Sequence, residues 1–292
     1  MTSGILLLDK PHGLSSNAAL QRVRALYGRV KAGHIGSLDP LATGMLPICL
    51  GEAIKVAGDV LAGRKCYRFT VSLGARTATG DAEGAVIARA AVPPVTRAGL
   101  EPVLVRFRGV TRQVPPMYSA LKREGRPLYE LARAGIEVER QARDIELFEL
   151  TLLGADAASL ELEALCSKGT YIRVLAEDIA AALGTVGHVT ALRRVYVEPF
   201  ADERMHTLEE LQAAHAREAL PLPLPIDRPL AHLPALTLSA AEAQRIMQGQ
   251  RIALGAAPMP RARLYDADGR FLGVGETDAA GTLHPRRLIR SA

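Results

Sequence analysis

Five prolines within fifteen residues divide this chain into two unequal parts. The segment LPLPLPIDRPLAHLP spans residues 220–234 of the 292. A proline removes a backbone N–H and clashes with the preceding helical turn, so this spacing can continue neither a helix nor a central strand. We therefore predict a linker, with a domain boundary near Leu233. The expected domains are residues 1–232 and residues 233–292.

Hydrophobic periodicity predicts an α+β fold for the larger domain. Residues 65–73 alternate between apolar and polar side chains, as a half-buried strand does. The runs at 143–153 and 159–167 are joined by a short turn and predict a β-hairpin. Helical patterns lie between such strands, at residues 18–26, 96–105, 126–134, 170–183 and 207–217. Irregular interleaving of this kind favours α+β over a strict βαβ repeat.

Two other regions have a different character. Residues 31–50 are punctuated by glycine and proline and lack a clean period, so we predict a loop with short elements.

Beyond the linker, Ser239 and Glu242 form a capping box for a short helix that ends at Gly249. The rest of this part is strand-like, and the sequence predicts a small, mostly β domain.

Composition argues against several classes of protein. No apolar run approaches the ~20 residues that span a bilayer. The N-terminus lacks the features of a signal peptide, so we expect a cytoplasmic protein with no membrane partner. The three cysteines form no CxxC, and the seven histidines form no HxxxH or HExxH. With no GxGxxG or P-loop either, we expect no metal and no cofactor.

Positive charge is concentrated in one segment. The formal net charge is +5 and the pI about 9.3. Residues 106–143 contain nine Lys or Arg against four acidic residues, so this segment alone carries the excess of the whole chain. Either it is an ordinary solvated surface, or it contacts the phosphates of a nucleic acid.

Asp39 is the first candidate for chemistry. It lies in a stretch bounded by Gly36 and Gly44, and Pro40 biases its backbone away from the helical region. An extended backbone would present the carboxylate instead of winding it into a helix. Taken alone, an Asp-Pro pair is more often the start of a turn.

The segment around Asp39 resembles the catalytic motif of a known family. GSLDPLATG, residues 36–44, fits the pattern G-x-L-D-x-x-A-T-G of the TruB family of tRNA pseudouridine synthases, and the match extends through MLPICLGEAIK. Further segments match the family in the expected order: LLLDKPHGLSSNAAL, KCYRFTVSLGARTATGDAEG, PPMYSALKREGRPLYELARAGI and CSKGTYIRVLAEDIAAALG. The resemblance covers residues 4–289.

The resemblance implies both a fold and an activity. The expected core has a mixed, mainly antiparallel sheet with helices and a basic thumb insertion at about residues 113–143, followed by a PUA-like C-terminal domain. The expected reaction is isomerisation of uridine 55 in the T loop of tRNA to pseudouridine, without a cofactor. The expected partner is the T stem-loop of tRNA, bound by a monomer that needs no other protein.

The resemblance also implies roles for individual residues. Asp39, Tyr67 and Arg173 are the expected catalytic residues, with Arg173 keeping the Asp39 carboxylate ionised and oriented. Outside this context, Arg173 would be an exposed helix residue and Tyr67 a core residue. The residues expected to bind the target nucleotide are His34, Lys10, Asp81 and Leu192. The residues expected to bind RNA through the thumb are Lys122, Arg123 and Arg126.

Two alternative functions remain open at this point. The basic insertion and the appended domain would serve equally well in an RNA-binding protein that folds tRNA without catalysis. The second alternative is a related synthase that works with guide RNAs and typically needs protein partners. The thumb-like insertion favours recognition of tRNA without a guide.

Overall fold

The computed structural model describes residues 2–290 and confirms the α+β class. The described strands are β1 (Gly4–Lys10), β2 (Ala32–His34), β3 (Thr43–Leu50), β4 (Lys65–Leu73), β5 (Ala75–Thr77), β6 (Val86–Arg89), β7 (Gly109–Gln113), β8 (Lys122–Arg123), β9 (Arg126–Pro127), β10 (Arg143–Ala155), β11 (Ser159–Cys166), β12 (Gly187–Val197), β13 (Ala235–Thr237), β14 (Ile252–Ala253), β15 (Met259–Tyr265), β16 (Phe271–Thr277) and β17 (Thr282–Leu288). The α-helices are α1 (Ser16–Leu26), α2 (Ala57–Ala62), α3 (Arg97–Val105), α4 (Leu128–Arg133), α5 (Ile172–Ala182), α6 (Leu208–Ala216) and α7 (Ala240–Met247). Two short 3-10 helices span Gly51–Val56 and Arg228–Leu230.

The main sheet has eight strands in the order β1-β3-β12-β4-β11-β10-β7, with β2 beside β3. All of its pairings are antiparallel except the short parallel contact between β3 and β12. There Thr43 and Gly44 pair with Arg193 and Arg194. This contact joins the two halves of the sheet beside the segment that carries Asp39.

Strand β3 corrects the loop expected for residues 31–50. Pro47 lies within it and has no N–H to donate, which is why the pattern predicted irregular structure. Seven of its eight residues are nevertheless buried, and residues 44–50 pair with β1. The Pro47 carbonyl accepts a hydrogen bond from Ile35 N at 2.8 Å. Burial on both faces, which the sequence pattern did not reveal, explains this strand.

Helices cover one face of the main sheet. The principal core contains Ala19, Leu20 and Val23 of α1, together with apolar residues of α3 and α5 and the inward side of β4. Ser15 caps α1 by accepting a hydrogen bond from Ala18 N, as the sequence predicted. The opposite face at the β1–β3 end is covered by residues 51–62 and by Val274 of the C-terminal part.

The C-terminal part forms a five-stranded sheet in the order β13-β15-β16-β17-β14, with α7 packed against it. The proline-rich segment leads to it along the edge of the main sheet, where Leu224 and Ile5 exchange two backbone hydrogen bonds of 2.9 Å. The Arg261 guanidinium pairs with Asp59 at 2.6 Å and links this sheet to α2. None of the helices described in residues 2–290 is long and apolar enough to cross a membrane.

Replacing Gly44 with alanine should destabilise the protein strongly. Gly44 has φ of +97°, and a Cβ there would overlap the Arg194 carbonyl oxygen. We expect a loss of about 2–5 kcal/mol from backbone strain and steric overlap, measured by urea unfolding. Gly33→Ala is the matched control, because no atom lies within 4 Å of a Cβ at that position. Equal stability of the two variants would contradict the close approach at the β3–β12 contact.

Candidate active site

The loop that carries Asp39 is held in place from within the protein. The Ser16 hydroxyl donates to Leu38 O at 3.0 Å and accepts from Leu38 N at 2.7 Å. Pro40 O accepts hydrogen bonds from Gly13 N at 2.8 Å and from Lys10 Nζ at 3.3 Å. These bonds fix the backbone on both sides of Asp39 and leave its carboxylate free to face outward.

Asp39 and Arg173 form an ion pair, as predicted. Arg173 Nε lies 2.8 Å from Asp39 Oδ2, and Nη2 lies 3.3 Å from Oδ1, so the guanidinium contacts both carboxylate oxygens. The Arg173 side chain is only 5% exposed, whereas that of Asp39 is 37% exposed. The arginine therefore supports the carboxylate from the protein side, and the other side of the carboxylate is open to a substrate.

Arg173 is itself held by partners from two other segments. It lies in the first turn of α5, and its Nη1 donates to Thr79 O at 2.7 Å. Its Nη2 donates to Tyr118 O at 2.6 Å. Its Nε lies 3.7 Å from Asp81 Oδ2, and Asp81 is buried as well. With this many partners, the guanidinium has little freedom to turn away from Asp39.

Burial and charge act in opposite directions on Asp39. Loss of solvent raises the pKa of the Asp39 carboxyl, Arg173 opposes this effect, and the nearby Asp81 carboxylate adds to it. A carboxyl group with a raised pKa in the folded state weakens folding as the pH rises through that pKa. Keeping Asp39 ionised in this place therefore costs stability, which Arg173 partly offsets.

Tyr67 lies on β4 beside the same carboxylate and is 8% exposed. Burial raises the pKa of its hydroxyl, and the neighbouring Arg194 acts in the opposite direction. Its phenol is therefore neutral at physiological pH, and it can stack on a planar group or exchange a proton with it.

A cleft of about 750 Å³ brings the predicted residues together. Five of them line it: His34, Asp39, Tyr67, Arg173 and Leu192. The Nδ1 atom of His34 is buried without a hydrogen-bond partner among the described residues, and burial lowers the pKa of this side chain. His34 is therefore neutral at physiological pH. A cleft of this volume is within the usual range for sites that bind small molecules.

Two other predicted residues, Lys10 and Asp81, lie beneath the cleft instead of lining it. Lys10 is fully buried, and its ammonium donates to the carbonyls of Pro11, Leu14 and Pro40 at 2.8, 2.6 and 3.3 Å. Burial lowers the pKa of Lys10 to about 8. The Asp81 carboxylate accepts hydrogen bonds from Thr79 and from Glu83 N. Lys10 thus contacts the loop that carries Asp39, and Asp81 lies beside Arg173.

The three basic residues of the predicted thumb are arranged as expected for a surface element. Lys122 and Arg123 form β8, Arg126 belongs to β9, and all three are exposed. Leu121, just before this hairpin, lines the cleft. The basic hairpin therefore begins at the cleft edge and extends into solvent.

The structure adds residues that the sequence reasoning missed: Ser119, Arg143 and Tyr171 line the cleft, and Arg194 is fully buried in its wall. The Ser119 hydroxyl is buried without a partner among residues 2–290. The Arg143 guanidinium stacks over the Tyr171 ring at 5.2 Å. Tyr171 lies in the same KGTYIR string as Arg173, so that string contained a signal for it. No group of three or more His, Cys, Asp or Glu side chains within residues 2–290 is placed to hold a metal ion.

Family models match most of the chain. The model described as TruB family pseudouridylate synthase (N terminal domain) matches residues 24–172. The model described as tRNA pseudouridylate synthase B C-terminal domain matches residues 173–230. A third, described as Pseudouridine synthase II TruB, C-terminal, matches residues 234–289.

Individual proteins agree with these models. The tRNA pseudouridine synthase B of Chromohalobacter salexigens is 50% identical over 99% of this chain and 95% of its own length. The protein of the same name from Aromatoleum aromaticum is 50% identical over 99% of this chain and 93% of its own length. A solved structure described as an H/ACA RNP bound to a substrate RNA containing 2'-deoxyuridine has the same fold, with a TM-score of 0.73 at 19% identity. It covers 99% of this chain and 85% of that one.

Removing the Arg173 charge should raise the pKa of Asp39 further. Arg173 is the strongest influence that lowers this pKa. We expect Arg173→Gln to increase it, because the favourable interaction with the ionised carboxylate is lost. The measurement is ¹³C NMR titration of the aspartate carboxyls, with Asp39→Asn used for assignment. Arg76→Gln, which removes an arginine near Glu177 instead, should leave the Asp39 titration where it was. A lower or unchanged Asp39 pKa in Arg173→Gln would contradict the ion pair.

Proposed function

This chain belongs to the TruB family of pseudouridylate synthases, and we infer that it isomerises uridine 55 in the T loop of tRNA to pseudouridine. The single observation that carries this inference is the pairing of Asp39 with Arg173 at 2.8 Å in the floor of the cleft. The two relatives that are 50% identical over nearly the whole chain are both named tRNA pseudouridine synthase B, which supports this inference.

The reaction exchanges one bond of the nucleoside for another. The N1–C1′ bond breaks, the detached base turns, and C5 bonds to C1′. The proton on C5 is then lost, and N1 gains one, so the product is an isomer and nothing is consumed. Asp39 supplies an ionised carboxylate that can add to the base or to the ribose carbon, or stabilise the positive charge that develops on the sugar.

We assign the remaining roles by position in the cleft. Arg173 keeps Asp39 ionised and oriented, because its Nε and Nη2 atoms both contact the carboxylate. Tyr67 stacks on the target base and can relay a proton. Leu192 packs against the base, and neutral His34 fills the space that the extruded base leaves in the RNA. Extrusion costs a few kcal/mol, which such an insertion offsets.

Lys10 and Asp81 act behind these residues in our proposal. Lys10 holds Pro40 O and so steadies the Asp39 loop from below. Asp81 Oδ2 lies 3.7 Å from Arg173 Nε, the same nitrogen that pairs with Asp39, and helps to hold the guanidinium in place. We therefore assign both to support of the site, without direct contact with the base.

The surrounding surface suits RNA. We assign residues 1–232 to a catalytic domain, residues 113–143 to a thumb that grips the T stem-loop, and residues 233–292 to a PUA-like RNA-binding domain. Lys122, Arg123 and Arg126 contact phosphates in this proposal. We further propose that the protein acts as a monomer without an obligate protein partner. The cytoplasm suits its three free, buried cysteines.

Asp39→Asn should abolish pseudouridine formation and leave tRNA affinity nearly intact. The amide keeps the size of the side chain but loses the charge that the chemistry needs. The measurement maps pseudouridine in an unmodified tRNA transcript incubated with purified protein alone, and filter binding gives the affinity. Asp9→Asn, which only breaks a surface pair with Arg193, is the control. Product formation by Asp39→Asn would leave the protein as an RNA binder and refute the assigned chemistry.

Loss of thumb charge should weaken the salt dependence of tRNA binding. In Lys122→Ala/Arg126→Ala, the slope of log affinity against log salt should fall by roughly one for each lost phosphate contact. The control replaces Arg22 and Arg217, two exposed arginines at α1 and the end of α6, and should leave the slope unchanged. If the thumb variant kept the wild-type slope, the phosphate-binding surface would have to lie elsewhere.

A further inference from the structure

Arg194 is a buried cation for which the proposed mechanism has no use. It lies on β12 and is 0% exposed. No carboxylate in residues 2–290 lies within 4.0 Å of it, since it takes part in none of the ion pairs there. An arginine cannot lose its proton in a protein, so this site holds a permanent charge without a neutralising partner. Burial of such a charge is unfavourable. The contacts of the guanidinium must therefore explain why an arginine is buried here.

The three nitrogens of the guanidinium contact three different parts of the site. Nη2 donates to Gly36 O at 2.8 Å, and Nε donates to Met45 O at 2.7 Å. These carbonyls precede and follow Asp39 in the chain, so one side chain holds both ends of its loop. Nη1 points at the Tyr67 hydroxyl at 3.5 Å.

The backbone of Arg194 is fixed on both sides. On β12 it pairs with Gly44 of β3 in parallel register and with Tyr67 of β4 in antiparallel register. Gly44 permits an approach to the Arg194 backbone that a side chain would block. Because the backbone is fixed, the planar guanidinium can contact the two carbonyls and the phenol at the same time. The single ammonium group of a lysine cannot do this.

The charge of Arg194 acts on basic side chains of the site. The Lys65 side chain approaches Gly36 together with it, and burial lowers the pKa of Lys65 to about 8, with Arg194 contributing. Arg194 also contributes to the lowered pKa of His34. Its charge is thus felt across the cleft and is not cancelled locally.

We propose that Arg194 is a positioning residue that sets the spacing between the Asp39 carboxylate and the Tyr67 hydroxyl. It acts through the loop ends and the phenol, because its own side chain is inaccessible to a nucleotide. This proposal rests on the function proposed above. It predicts a loss in the chemical step with little change in the binding of tRNA.

The test compares Arg194→Lys and Arg194→Met with Arg193→Met. Arg193 is the neighbouring residue, but its side chain is 42% exposed and pairs with Asp9. With saturating enzyme, single-turnover pseudouridine formation should fall about 100-fold or more in both Arg194 variants, since small misplacements of reacting groups have effects of this size. The dissociation constant for tRNA should stay within about threefold of wild type, and Arg193→Met should keep the wild-type rate.

A spectroscopic readout separates positioning from folding. In protein labelled with 3-fluorotyrosine, the seven tyrosines give ¹⁹F signals, and Tyr67→Phe identifies that of Tyr67. The Tyr67 signal should move in Arg194→Lys and stay in place in Arg193→Met.

Several results would overturn the proposal. In the kinetic test, these are a wild-type rate in the Arg194 variants or a parallel loss of rate and tRNA affinity. In the ¹⁹F test, it is a Tyr67 signal that does not move in Arg194→Lys. Failure of both Arg194 variants to fold would also overturn it. Wild-type protein that forms no pseudouridine would overturn the proposed function instead, and the ¹⁹F signal would still test the Arg194 contact.

Discussion

The ion pair between Asp39 and Arg173 is the interaction on which the rest of the site depends. Arg173 comes from α5, Asp39 from the loop before β3, and the other partners of the guanidinium come from Thr79 and Tyr118. Four segments far apart in sequence therefore converge on one guanidinium. An isolated carboxylate with a pKa raised by burial would tend to hold its proton, and the paired arginine keeps the ionised form accessible.

Three other buried cations hold the backbone near the site. Lys10, Lys65 and Arg194 are all buried, and each donates to backbone carbonyls and, within residues 2–290, to no carboxylate. Hydrogen bonds to several carbonyls satisfy the donors but do not neutralise the cations. These side chains tie loops to the sheet and leave a positive potential around the cleft. Such a potential suits a polyanionic substrate and the negative charge that a detached base would carry.

The local sequence pattern correctly predicted elements whose formation depends on residues close together in the chain. Strand β4 spans the residues at which apolar side chains alternate, and α6 begins at the capping box of Thr207 and Glu210, as predicted. The pattern failed at β3, where Pro47 and two-sided burial hide the strand period. It also gave no sign that Arg194 is buried, because an arginine in a strand is ordinarily exposed.

By itself, the sequence determined the family, through the contiguous motif around Asp39, and the α+β class, through its hydrophobic periodicity. The motif also made Asp39 the candidate acid. The tertiary structure decided which residues share the cleft with that acid and which lie behind it. Tyr171 lines the cleft, while Arg194, Lys10 and Asp81 are buried behind its surface. The reason is physical: strand pairing and packing set these distances, and the parallel contact between β3 and β12 joins residues about 150 positions apart. No local pattern in the chain encodes a separation of that kind.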